Sequence, residues 1–142
     1  MSDISPYVSQ RRDADRRLGA QESAYQFSRN LSQRRGARNE ADFTQRFKRQ
    51  MPEFQGGFGR RGMQSSGFYK QALGDMVGDY TRDLGRLRED NASQLAELDM
   101  GRSNYQAEYD AYISNLEANK ARTISDTARY LAMLKPYYQG GY

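Results

Sequence analysis

The sequence predicts an all-α protein: long helices over about 20–51 and 66–135, joined by a Gly-rich loop, forming a helical hairpin or an extended bundle in an oligomer. Three observations carry this. No proline interrupts the chain between Pro52 and Pro136. At about 100° per residue, the bulky apolar residues of that stretch gather on one face. Gly56, Gly57, Gly59 and Gly62 crowd the one segment with clear turn composition.

The elements follow in chain order. Ser5-Pro6 suits a helix start, with Ser as N-cap and Pro at the first helical position. A short helix to about Leu18 either stops at Gly19 or continues through it at a cost of about 1 kcal/mol. Residues 20–51 are rich in Gln, Arg, Glu and Ala and read as helical, with Gly36 a candidate bend. Pro52 ends this helix, because the residue before a proline avoids the helical region. Ser65 or Ser66 caps the second helix, without a capping box. That helix stops near Lys135-Pro136 and leaves an aromatic, Gly-rich tail. The chain thus divides into an Arg-rich helical segment (1–51), a loop (52–66), a long two-faced helix (67–135) and a Tyr/Gly tail (136–142).

The long helix has two working faces. One holds Leu73, Val77, Tyr80, Leu84, Leu87, Leu95, Leu98, Tyr105, Tyr109, Tyr112, Leu116, Ile124, Leu131 and Leu134. A second, roughly 130° around the axis, holds small residues: Gly67, Gly74, Gly78 and Gly85, then Ala and Ser. Each glycine costs about 1 kcal/mol relative to Ala inside a helix. Their alignment points to close approach of another helix backbone. The bulky face steps like a heptad through Val77, Tyr80, Leu84 and Leu87, then takes two steps of four through Asn91 and Leu95, which is a stutter. Asn91 and Arg102 are polar positions within it, of the kind that fix register. A helix of this length spans roughly 100 Å and needs neighbours. The predicted packing interface is Gly67, Gly74, Gly78, Gly85, Leu84, Leu87, Leu95, Leu98, Tyr105, Tyr109, Tyr112 and Leu116.

Composition points the same way. Leu, Ile, Val and Phe make up 21 of 142 residues, below the roughly 20% at which disorder becomes a serious prior. Mean hydropathy is −1.03, yet net charge is only +4. Poor core material with strong periodicity suits a chain that folds with copies of itself or with partners. The charge is uneven: residues 1–62 carry 13 Lys+Arg against 7 Asp+Glu, and residues 63–142 carry 9 against 11.

Little in the chain suggests catalysis. Cys and His are absent, which removes thiol nucleophiles, disulfides, imidazole ligands and the usual neutral-pH base. No nucleophile has an adjacent base, so the sequence predicts neither an enzyme nor a cofactor, metal or small-molecule substrate. No run approaches the ~20 apolar residues of a membrane span, and no secretory signal opens the chain. Gly57-Phe-Gly59-Arg-Arg-Gly62 matches GxGxxG but lacks the preceding strand a dinucleotide site requires. Asp75, Asp79 and Asp83 share a face, read as a solvated stripe pairing with Arg82 or Arg86. Arg34, Arg35, Arg60 and Arg61 are the candidate contacts to nucleic acid or an acidic partner. Tyr137, Tyr138 and Tyr142 are candidates for docking into a partner's groove.

Residues 59–75, GRRGMQSSGFYKQALGD, and 79–87, DYTRDLGRL, resemble small helical virion proteins of tailed bacteriophages, in which an "RG…SSG…ALxD" turn opens a helix carrying "DYxR…L". The likeness covers about forty residues and brings no catalytic residue. It implies a non-enzymatic structural part present in several copies at the tail or portal vertex. It implies as partners other copies and other virion proteins, and a location in the virion after assembly in the host cytoplasm. A basic helical protein on packaged or ejected genome, and an assembly scaffold or chaperone, are the alternatives.

Overall fold

A computed structural model describes residues 4–63 and 66–139. They form two helices, α1 (Ser5–Arg60, 56 residues) and α2 (Gly67–Gln139, 73 residues), packed against each other as a helical hairpin. The described residues contain no strand. The chain divides into two compact units, one of residues 26–99 and one of residues 1–25 with 100–142.

The unit of residues 26–99 contains the turn. Gly62, at φ +69°, closes α1. Its N–H donates to Gly59 O at 3.1 Å, and Met63 N–H donates to Phe58 O at 2.9 Å. This is the paired bonding of a Schellman cap, in which a left-handed glycine satisfies the last carbonyls. Ser66 then caps α2 as predicted: its hydroxyl accepts from Tyr69 N–H at 3.2 Å.

Three boundaries differ from the sequence reading. α1 does not stop before Pro52 but runs eight residues beyond it, so most of the expected 52–66 loop is helix. Proline's fixed φ is itself helical, and the loss is one N–H bond plus ring crowding, about 3 kcal/mol. Opposing that loss, Phe54 and Phe58 lie 6.2 and 5.2 Å from the Tyr69 ring on α2. Tertiary contact thus overrides local propensity. At the far end α2 passes through Pro136 to Gln139, where the proline sits in the final turn and disturbs little helix beyond it. At the start of α1, Ile4 O accepts from Tyr7 and Val8 N–H, so Ile4 is the N-cap and Pro6 lies one position later than expected. Neither Gly19 nor Gly36 ends the helix.

The seam in this unit repeats every 11 residues. On α1, Gly36, Phe47 and Phe58 face inward; their opposites on α2 are Asn91, Tyr80 and Tyr69. Phe47 stacks on Tyr80 at 4.0 Å and Phe58 meets Tyr69 edge-on at 5.2 Å. Asn91 lies over Gly36, so close that a Cβ there would fall 2.9 Å from Asn91 Nδ2. Each pair's residue numbers sum to 127. The unit of residues 1–25 and 100–142 keeps the same sum: Arg102 sits over the Tyr25 ring at 4.9 Å, and half-buried Ala14 and Ile113 share a level.

This replaces the heptad reading. Steps of 4, 3 and 4 make 11 residues in three turns, or 3.67 per turn, the period of straight or right-handed pairs rather than left-handed coiled coils. The apparent stutter at Leu87, Asn91 and Leu95 is the regular step. Val77, the first residue of the heptad reading, is 42% exposed, while Met76 is half-buried.

Two stability predictions follow from these positions. Gly78→Ala should raise stability by about 1 kcal/mol, since its Cβ meets nothing within 4 Å; Gly36→Ala should give no such gain, and Gly36→Leu should cost about 1–3 kcal/mol. Urea unfolding of the three variants measures this. Pro52→Ala should add stability in the same assay, up to about 3 kcal/mol, because it restores an N–H donor in continuous helix.

Candidate functional site: the polar seam and the exposed helix faces

The bulky face of α2 meets α1 through Leu84, Leu87, Leu95, Leu98, Tyr105, Tyr109 and Leu116, all half-buried or buried. Tyr112 is 44% exposed and borders a groove beside Tyr105 and Tyr109. Gly67, Gly74, Gly78 and Gly85 face away from α1, and a Cβ at any of them meets open space. Among the described residues these four glycines therefore have no packing neighbour.

In the unit of residues 1–25 and 100–142, the seam is ionic and phenolic. Arg102 Nη2 lies 2.5 Å from Glu22 Oε1, and Tyr105 donates its hydroxyl proton to the same carboxylate. Tyr109 donates to Asp15, Tyr7 and Thr123 hydroxyls are bonded at 2.6 Å, and Arg11 pairs with Glu117 at 3.2 Å. In the unit of residues 26–99, Arg88 grips Glu40 through two nitrogens at 2.6 and 2.9 Å, and Arg29 pairs with Asp99 at 3.4 Å. Pairs at the edge of a two-helix contact are worth little each, about 0–1 kcal/mol. Their value lies in selecting one register.

Sequence reasoning placed the tyrosines in an interface but missed their carboxylate partners. That pairing becomes visible only once the register between the helices is known.

The other candidates stay apart. Arg34 and Arg35 lie exposed near the middle of α1, and Arg60 and Arg61 at its end, roughly 37 Å further along the helix. Among the described residues none of the four makes an ion pair. Asp79 pairs with Arg82 at 2.5 Å, as the stripe reading expected. Tyr137 is 83% exposed; Tyr138 lies in the last turn of α2, and Tyr142 lies outside the described residues. Among the described residues no group of three potential ligand side chains gathers to hold a metal, and no helix is long and apolar enough to cross a membrane.

No protein-family model matches the sequence, and no curated protein or solved structure matches it.

The phenols have a pH signature. Partial burial, then the hydrogen bond to Glu22, raises the Tyr105 pKa above the ordinary tyrosine value. The bond to Asp15, then burial, does the same for Tyr109. A phenol raised in the folded state lends its full stabilisation below its unfolded pKa of about 10 and loses it as pH climbs through the folded value. Alkaline titration of tyrosinate absorbance should therefore show two late-ionising tyrosines, with helix content falling as they ionise. Asp15→Asn should move one of them back toward the ordinary range.

Proposed function

We propose that this chain is a non-enzymatic structural protein that works in several copies and completes its packing only in the assembly. The observation that carries this is the thinness of its own core. Tyr25 and Leu116 are the buried hydrophobic residues among those described, and the accessible surface is 11328 Å². A compact monomer of 16.3 kDa would expose about 7,500 Å². Ile124, Tyr130, Leu131, Met133 and Tyr137 are all exposed on α2. The register puts all five past the level of Ser5, where α1 begins. Exposed apolar surface of this kind marks interaction sites.

The tailed-phage reading deepens the proposal. It rests on the likeness at residues 59–87, the stretch in which Gly62 closes α1 and Ser66 caps α2. A place at the tail or portal vertex suits a helical protein with unfilled faces.

A second reading is contact with nucleic acid. What favours it is the unpaired arginine set on α1, and its mark is affinity that falls steeply with salt.

Light scattering on the purified protein should give a mass that is a multiple of 16.3 kDa. A stable 16.3 kDa monomer at every concentration would sink the proposal. Mass spectrometry of purified phage particles should find the chain in mature virions, whereas a scaffold would be missing.

A further inference from the structure

The unit of residues 26–99 carries a groove of about 620 Å³ with two walls of opposite charge. Its floor is aromatic: Phe43, Phe47 and Tyr80, with Tyr80 stacked on both phenylalanines. Arg46 stands on the α1 wall, and Asp75, Asp79 and Asp83 stand on the α2 wall. The imbalance runs beyond the groove. Within this unit, α1 and its end carry nine basic residues against three acidic ones, and α2 carries four basic against seven acidic.

Helical arithmetic puts Arg35, Arg38, Arg46 and Arg49 on one flank of α1, and Asp75, Asp79, Asp83 and Asp90 on the matching flank of α2. All eight are exposed. Among the described residues Arg46 makes no ion pair, and Asp79 pairs only with Arg82 on its own helix.

We infer that this groove docks a second copy of the chain. The two copies are related by a two-fold axis along the helices, so that the basic wall of each meets the acidic wall of the other. The inference rests on the multi-copy reading and names its contact. Such an axis keeps every residue at its own level. The constant sum of 127 puts Arg46 level with residue 81, between Asp79 and Asp83, and Arg38 level with Glu89, beside Asp90. Each arginine of one copy therefore arrives opposite carboxylates of the other. One patch serves both copies, as a two-fold contact requires. The aromatic floors close over each other, the kind of anchor that interfaces favour.

The chemistry disfavours other occupants. A nucleic acid would meet three carboxylates on the α2 wall, and a cation would meet Arg46 across the groove.

Sedimentation velocity on three proteins at low and high salt tests this. The wild type should form a dimer that weakens as salt rises. Arg46→Glu/Arg49→Glu makes both walls acidic, and Asp75→Lys/Asp83→Lys makes both basic. Each variant alone should bind itself at least about tenfold more weakly, with helicity by circular dichroism unchanged. Mixing the two should restore a dimer containing one of each. The neutral pair Arg46→Gln/Arg49→Gln, which adds no repulsion, should lose less affinity than the reversal. If the wild type self-associates but the variants do so equally well, or their mixture does not recover, the groove is overturned and the multi-copy reading stands. A wild type that stays monomeric throughout overturns both.

Discussion

The antiparallel register of α1 on α2 is the constraint on which the rest of the structure depends. Both helices present an inward position every 11 residues, and opposite positions meet at a constant sum of residue numbers in each unit. At Gly36 the fit is tight in a specific way. Asn91 occupies the space a side chain would need, so a slip of one rung would drive Phe47 or Tyr25 into that place. Two large aromatics on one side and a glycine on the other make the slipped registers sterically and electrostatically worse. A polar seam residue serving to fix register is a known device in paired helices. Here its partner is an absent side chain rather than a second amide.

That register also decides where charge can be neutralised. Glu40 reaches Arg88, Glu22 reaches Arg102, and Asp15 reaches Tyr109 only because each lies within one helical turn of its mate's level across the seam. The contribution of each exposed pair is small, but all of them fail together if the register shifts. The apolar part of the seam is concentrated at the turn, where Phe43, Phe47, Phe54, Phe58, Tyr69 and Tyr80 cluster. Local contacts of this kind close first, since the loop between them is short. The polar rungs further from the turn then select among registers that apolar packing alone would tolerate.

The parts legible in sequence were those set by local chemistry. The bulky stripe of α2 was visible because Leu and Tyr recur at helical spacing, and the Ser66 cap because serine before a helical run satisfies an open N–H. The inward face of α1 was hidden, because its rungs include Ala14, Arg29, Ser32 and Gly36, which no apolar pattern picks out. The end of α1 was misplaced because Pro52 and three glycines speak for a loop, while Tyr69, which holds those turns in helix, comes later in the chain. The phenol–carboxylate pairs needed the register itself. The charge imbalance between the two halves was readable, but not that it forms two walls of one groove.

Two helices cannot enclose a core whatever their sequence, because each has a single neighbour and roughly half its circumference stays open. What a sequence can choose is how to dress the open half. On α2 one flank carries Gly67, Gly74, Gly78 and Gly85, and the other carries Asp75, Asp79, Asp83 and Asp90. These flanks discriminate between neighbours by different physics. A small-residue flank admits a close helix of almost any charge, since it rejects mainly by shape. An acidic flank beside a basic one admits the same surface half-rotated about the helix direction and repels it turned end for end, where like would face like. A chain dressed in this way has one flank suited to pairing with itself and another left for a different neighbour. That division is what an ordered multi-copy assembly needs and what a uniformly sticky helix could not supply.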